Sequence, residues 1–252
     1  MKKIGIVGGV AWLSTVEYYS ELCRRSEEWW LRSGRAGPPA YPEMTIESLD
    51  LNRAASYVGK DGDEESWHQF DDYHRAALQR LEAGGADFGL IACNTAHHRF
   101  ASIVRGIRIP VINIFEETAK ECARLGAKEV LILGTDLTMG SDVFRDAFAR
   151  QGIKAAGPDD EAIRTATVEL IDELQMGRQK GAAERLHTIG KKALERQFKG
   201  RPVVCLACTE LPLAFPEQSK LSCFESEGVL YVNTTAVHIN AAFHFAVSEA
   251  IS

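Results

Sequence analysis

Short apolar runs that stop at glycine or at small polar residues recur along this chain, and they leave few folds open. Residues 3–7 run into Gly8-Gly9 and residues 88–92 into Cys93-Asn94-Thr95. A second lysine-led run, 128–133, ends at Gly134-Thr135, and residues 203–207 deliver Cys208-Thr209-Glu210. Runs this short are the length of strands buried on both faces, and glycine closes them with a tight turn. Further short runs lie at 44–49, 110–115 and 229–232.

Between these runs the spacing is helical. Ser14-Thr15-Val16-Glu17 has the spacing of a capping box, with Ser14 as N-cap and Glu17 reaching back. It predicts a helix to about Arg32 that carries Val16, Tyr19, Cys23 and Trp30 inward. Residues 34–42, with two glycines and three prolines, must be loop, and the polar, acidic stretch 60–66 reads as a solvated loop. Helices are expected at 68–82, at 116–125 with Gly126 as its stop, and at 141–151, 160–176, 181–198 and 234–251.

The order of these elements repeats. Gly8 and Gly134 lie 126 residues apart, and Cys93 and Cys208 lie 115 apart, so each half runs strand–glycine turn first and strand–Ala-Cys later. Parallel strands joined by helices imply right-handed crossovers and ligand sites at the carboxyl ends of the strands. The expected fold is α/β: two pseudo-symmetric three-layer domains, each a mostly parallel sheet flanked by helices, with an active site in the cleft between them. One lobe is expected over 1–115 plus 212–252 and the other over 116–211.

Composition narrows the function. At 252 residues, 45% hydrophobic and 25% charged, the chain is ordinary globular protein with enough length to bury a core without a metal or disulfide staple. A formal charge of -6 leaves no global basic surface for nucleic acid. The N-terminal apolar run is far shorter than a signal peptide needs, and no run reaches a membrane-spanning length. Neither nucleic acid nor a membrane is an expected partner. The six cysteines, at 23, 93, 122, 205, 208 and 223, then read as reduced thiols of a cytoplasmic protein.

Cys93 and Cys208 carry the chemistry. A thiol at a strand–helix junction sits beside unpaired backbone N–H groups and the positive end of a helix, both of which stabilise a thiolate. The same N–H groups, with the Asn94 and Thr95 side chains, suit a substrate carboxylate. Two facing thiols suit inversion of a stereocentre through a carbanion, in which one removes a proton and the other delivers one. Such a site works without metal or pyridoxal when preorganised donors grip the carboxylate and its developing charge. The alternative is that buried cysteines are inert packing, and that reading is preferred for Cys23, Cys122 and Cys205.

Three blocks, with a shorter fourth run, resemble the aspartate/glutamate racemase superfamily, in particular its aspartate-racemase branch. Gly8-Gly9-Val10-Ala11-Trp12-Leu13-Ser14-Thr15-Val16-Glu17-Tyr18-Tyr19 is similar to the family's N-terminal glycine loop. Cys93-Asn94-Thr95-Ala96-His97 and Ala207-Cys208-Thr209-Glu210-Leu211 are similar to its two catalytic blocks, and Gly134-Thr135 to its mid-chain turn. The resemblance implies a racemase of an acidic amino acid, aspartate first and glutamate second, that needs no cofactor and forms a homodimer. It implies Cys93 and Cys208 as opposed acid and base, with Asn94, Thr95, Ala96, Thr135, Thr209 and Ser14 binding substrate. Other members of the scaffold remain as alternatives: a hydantoin racemase, a maleate-type isomerase, a malonate-type decarboxylase, or a non-catalytic dicarboxylate binder. Two cysteines argue against the decarboxylase.

The chain departs from the family pattern in three places. Val10 stands where methionine is common. Asn233-Thr234 replaces Asp-Thr, and Asn233 serves as an N-cap nearly as well. Gln175 stands where some members carry a lysine for the distal carboxylate. Arg53, just past the second strand, is the candidate in its place, because a guanidinium fork fits a carboxylate bidentately; the alternative is an ordinary surface arginine. Gly5-Ile6-Val7-Gly8-Gly9 lacks dinucleotide-loop spacing, and Cys205-Leu206-Ala207-Cys208 has no second Cys-x-x-Cys to complete a zinc site. His97, four residues past Cys93, and His238 read as structural. Trp29 and Trp30 read as helix packing or a partner surface.

Overall fold

The computed structural model describes residues 1–60, 62–200 and 202–248. It divides into two compact units, one of Met1–Asn113 with the end of the chain from Ile239, the other of Ile114–His238. In the first unit, β1 (Ile4–Gly8) leads to α1 (Trp12–Arg32), β2 (Met44–Ser48), α2 (Leu51–Ser56), α3 (His68–Ala83), β3 (Phe88–Ile91) and the short α4 (Phe100–Ile103). The second contains α5 (Ile114–Arg124), β4 (Glu129–Gly134), α6 (Asp136–Gly140), α7 (Asp142–Arg150), β5 (Lys154–Ala156), α8 (Glu161–Gln175), α9 (Ala182–Gln197), β6 (Val203–Ala207), β7 (Cys223–Ser226) and β8 (Val229–Asn233). The last helix, α10 (Thr234–Val247), starts in the second unit and passes to the first at Ile239. The expected end of that helix at Ile251 lies outside the described residues.

The two sheets are built alike. The first is parallel throughout with order β2-β1-β3, and the second runs β5-β4-β6-β8-β7, parallel except for the β7–β8 hairpin. In each, the glycine-ended strand is flanked on one side by the strand that comes next in sequence. On its other side lies the strand that delivers a cysteine. β1, β3, β4 and β6 are nearly or wholly buried along their length, as runs without polar alternation require. Ile4, Ile6, Phe88 and Leu90 form the core of the first unit with Tyr18 and Leu22 of α1 and Ile239, Ala242 and Phe243 of α10.

The terminal glycines are steric necessities. A Cβ on Gly8 would lie 2.4 Å from the Thr15 hydroxyl oxygen, and one on Gly134 would lie 2.7 Å from the Ala207 carbonyl oxygen. Gly9 also has φ +86°, open to glycine at no steric cost.

Several sequence expectations need correction. Residues 212–238 do not join the first lobe, because β8 hydrogen-bonds in parallel register to β6 and carries β7 with it. Helix α1 starts two residues before Ser14, with Ala11 as its N-cap, and Ser14 is buried inside the first turn. The expected capping box is replaced by Thr15, whose hydroxyl accepts from the Gly9 N–H at 2.8 Å and donates to the Ala11 carbonyl. The inward face of α1 is Tyr18 and Leu22 with Ser14, Glu21 and Ser26, whereas Val16 and Tyr19 point to solvent. The apolar run at 110–115 contributes one bridge, Val111 to Gly89, before α5 begins. Within the expected loop at 60–66, Glu64 opens a 3₁₀ turn that ends at Trp67 and is capped by Asp63. α2, β5, α6 and β7 have no counterpart among the elements expected from the sequence.

Candidate functional site

In the first unit, the carboxyl ends of the three parallel strands gather the predicted residues on one sheet edge. β1 ends at Gly8 and turns into α1, β2 ends before Asp50 and α2, and β3 ends just before Cys93. The backbone ties these ends together: the Leu49 N–H donates to the Gly8 carbonyl at 2.8 Å and the Ala92 N–H to the Val7 carbonyl at 2.9 Å. Cys93 and Thr95 are half-buried, while Asn94, Ala96 and His97 are buried, so the turn presents its thiol and its threonine outward. Past Cys93 the chain makes a five-residue 3₁₀ turn, Thr95–Arg99, and then the four-residue α4. The expected helix-dipole support is therefore weaker than a long helix would give, and the donors on offer are the N–H groups of a tight turn.

Two contacts fix that turn from behind. The His97 Nδ1–H donates to the Cys93 carbonyl oxygen at 2.8 Å, and the ring stacks on Phe100 with centroids 5.4 Å apart. Arg99 clamps the other end. Its guanidinium contacts buried Asp71 at 3.2 and 2.8 Å and Glu64 at 2.9 and 2.8 Å, and lies over the Trp67 ring.

Burial holds the His97 imidazole at a pKa of about 4, against the ordinary 6.5. The unfolded chain therefore binds a proton at His97 before the folded one does, so this contribution to stability is complete above pH 6.5. It is lost as the pH falls toward 4, and amounts to about 3 kcal/mol. Burial depresses His74 in the same direction. In urea unfolding from pH 7 down to pH 4, His97→Gln is expected to lose about 3 kcal/mol less than the wild type. Equal losses in the two proteins would contradict it.

Arg53 lies on the same edge, in the first turn of α2. Asp50 caps that helix by accepting from the Arg53 N–H at 2.7 Å. The Arg53 side chain is exposed; its Nε donates to the Tyr57 hydroxyl at 2.9 Å, and its guanidinium lies 5.0 Å from the Tyr73 ring centroid. Two tyrosines thus hold an outward-facing cation in a set direction. Ser14 sits below this edge, buried in the first turn of α1.

The second unit has the corresponding edge. Cys208, Thr209 and Glu210 come directly after β6, and all three are buried. Glu210, to which the sequence motif alone assigned no role, is the centre of this cluster. Its Oε2 accepts from the Cys208 thiol at 2.9 Å and from the Thr209 hydroxyl at 3.0 Å. The signal was present in the Cys-Thr-Glu triplet, where one residue intervenes between thiol and carboxylate. Leu211–Ala214 is another short 3₁₀ turn, so no long helix starts here either. Thr135 comes after β4 and caps α6, with its hydroxyl 3.0 Å from that of Thr138. At the end of β8, the Asn233 Oδ1 accepts from the Thr235 and Ala236 N–H groups, as an N-cap does. The Thr234 hydroxyl donates to the Leu206 carbonyl and pins β8 to β6 beside the thiol.

The remaining thiols are of another kind. Burial pushes Cys122 up to about 12, and Cys205 is raised by the same cause, so neither supplies a thiolate at neutral pH. Among the described residues no His/Cys/Asp/Glu cluster has the arrangement of a metal site, and no helix is long and apolar enough to cross a membrane. Gln175 is the last residue of α8.

These features meet a known pattern. The family model described as Asp/Glu/Hydantoin racemase matches residues 7–242. The broad specificity amino-acid racemase RacX of Bacillus subtilis (strain 168) is 24% identical over 240 residues, covering 94% of this chain and 98% of that protein. The crystal structure of an aspartate racemase homologue from Pyrococcus horikoshii OT3 matches with a TM-score of 0.73 and 28% identity, covering 98% of this chain and 99% of the other. The aspartate racemase of Picrophilus torridus shares the fold, with a TM-score of 0.71 at 21% identity, over 97% of this chain and 94% of that one.

Proposed function

The chain belongs to the Asp/Glu/Hydantoin racemase family and is an amino-acid racemase-family enzyme, and from that premise we propose that it racemises an acidic amino acid, aspartate first, by two-thiol proton transfer. The observation that carries the reading is the equivalence of Cys93 and Cys208. Each comes after the strand that flanks a glycine-ended central strand in a 2-1-3 parallel arrangement, and each is succeeded by hydrogen-bonding residues on a tight turn.

In the proposed reaction one cysteine, as thiolate, removes the α-proton; the C–H bond breaks and the proton passes to its sulfur. The other, as thiol, delivers its proton to the opposite face of the carbanion, and the α-carbon inverts. The next turnover in the reverse direction starts from the exchanged protonation states. Asn94, Thr95 and the turn N–H groups, with Thr209 from the second block, hold the α-carboxylate and the charge that develops on it. Thr135, Ala96 and Ser14 complete the proposed substrate environment. Arg53, already oriented by Tyr57 and Tyr73, takes the distal carboxylate. Glu210 accepts the Cys208 proton and returns it, so Glu210→Gln, which keeps an oxygen acceptor but cannot carry a proton, is expected to lower kcat about 100-fold with little change in KM. An unchanged kcat would remove Glu210 from the proton path.

The test is incubation of each enantiomer of aspartate and glutamate in heavy water with no added pyridoxal. Loss of optical activity together with α-deuterium incorporation supports the reading, and absence of both across acidic amino acids rejects it. A second reading, racemisation of a wider range of amino acids, is favoured by the likeness to RacX and by Gln175 at the end of α8. Neutral or basic amino acids turned over as well as aspartate, with Arg53→Met leaving kcat/KM for aspartate unchanged, would select it.

A further inference from the structure

Helix α2, which carries Arg53, has little apolar hold on its unit. It is six residues long, and Ala54 is its one buried residue; Leu51, Asn52, Arg53, Ala55 and Ser56 are exposed. A pair of tyrosines seats it instead. The Asp50 N–H at its start donates to the Tyr73 hydroxyl at 3.0 Å. Tyr57, at its end, sets its ring edge-on to Tyr73, with centroids 5.6 Å apart and planes at 82°. Tyr73 belongs to the sixteen-residue α3, where its ring meets the buried His74 edge-on. Both ends of α2 therefore rest on one side chain of a long helix.

The same pair decides which nitrogens of Arg53 are left for a ligand. Its Nε–H is taken by the Tyr57 hydroxyl at 2.9 Å, and its guanidinium carbon lies 5.7 Å from the Tyr57 ring centroid and 5.0 Å from that of Tyr73. Among the described residues no carboxylate forms an ion pair with it, although the chain carries a formal charge of -6. What remains for a carboxylate is the Nη1–Nη2 end of the fork. An arginine free at Nε can turn that end through several rotamers. This one cannot do so without breaking the Tyr57 bond and leaving the Tyr73 ring.

We propose that Tyr57 and Tyr73 are positioning residues that set the side-chain length the enzyme accepts. By fixing Arg53 end-on, they place its fork to meet the distal carboxylate of a four-carbon acidic amino acid and not that of its five-carbon homologue. The proposal rests on the reading of Arg53 given above and adds what makes that arginine selective. One methylene moves a carboxylate by more than the roughly 1 Å of misplacement that already costs about 100-fold in rate. A freely turning guanidinium would follow the carboxylate and accept both lengths; a seated one penalises the wrong length. Amino acids without a distal carboxylate do not engage the fork, so the tyrosines have no bearing on them.

The test is steady-state kinetics of the full chain with aspartate, glutamate and alanine, for the wild type, Tyr57→Phe and Tyr73→Phe. The wild type is expected to favour aspartate over glutamate in kcat/KM. Tyr57→Phe keeps the ring and frees Nε. It is expected to raise KM for aspartate about 10-fold with kcat held within about twofold, and to shrink the aspartate-to-glutamate ratio by about the same factor. Tyr73→Phe, which releases the Asp50 N–H, is expected to shift both quantities in the same direction. Alanine turnover should stay where it is in both variants, which a general loss of structure would not allow. An unchanged ratio in both variants, a fall in kcat shared by all three substrates, or a wild type that prefers glutamate would overturn the proposal and leave Arg53 as the carboxylate's partner. A wild type that treats aspartate and alanine alike, with Arg53→Met silent, would remove the reading of Arg53 itself and the proposal with it.

Discussion

Cys93→Ser and Cys208→Ser are each expected to lower racemisation of the best substrate by about 10³-fold or more in both directions, while the protein stays folded. Serine is nearly isosteric with cysteine, but its hydroxyl is a far weaker acid and cannot act as the base. The described contacts at both thiols survive the substitution. His97 holds the Cys93 turn through the backbone carbonyl, which the substitution leaves in place. At the other site Glu210 accepts from a serine hydroxyl as it does from the thiol. The effect must therefore fall on kcat with circular dichroism and the urea midpoint unchanged. A single variant that keeps full activity would break the two-thiol scheme.

Arg99→Ala is expected to cost about 3–5 kcal/mol and lower Tm by roughly 10 °C, the largest stability effect available on the Cys93 turn. Asp71 is buried in α3, and its carboxylate faces the Arg99 guanidinium across two contacts. Removing the arginine leaves that carboxylate without its counter-charge, which costs more than the pair contributes. The exposed Glu64 contact is screened and adds little. A double variant, Arg99→Met with Asp71→Leu, removes both charges together and is expected to recover most of the loss. If Arg99→Ala shifts Tm by no more than a surface substitution does, the clamp has no energetic role. Differential scanning calorimetry of the wild type and the two variants decides it.

What the sequence revealed of this fold came from burial acting uniformly. β1, β3, β4 and β6 are apolar because both faces of a parallel sheet are covered, and the glycines that end β1 and β4 are there because no Cβ fits against Thr15 or Ala207. Those residues also located Cys93 and Cys208. The helix faces were harder, because α1 carries two apolar stripes with the same period, Tyr18 and Leu22 on one and Trp12, Val16 and Tyr19 on the other, and only packing decides which of them the core takes. β5 and β7 escaped notice for a different reason. Lys154–Ala156 and Cys223–Ser226 have no apolar periodicity of their own and are strands because β4 and β8 offer them hydrogen bonds. The lobe boundary shifted with them, since β8 is short in sequence but joins a central strand of the second sheet. The role of Glu210 depends on a side chain folding back two residues, which spacing permits but does not require. The short 3₁₀ turns after both thiols were hidden by residues that read equally well as a helix start.

Proton exchange without inversion tests the shared-carbon scheme most directly, using the two single-thiol variants in heavy water with each pure enantiomer. A lone thiolate can remove the α-proton from its own face and return a deuteron there. Cys93→Ser should therefore exchange the α-hydrogen of one enantiomer only, Cys208→Ser that of the other only, and neither variant should invert its substrate. Both variants exchanging the same enantiomer, or either one exchanging both, would mean that Cys93 and Cys208 do not serve opposite faces of one carbon.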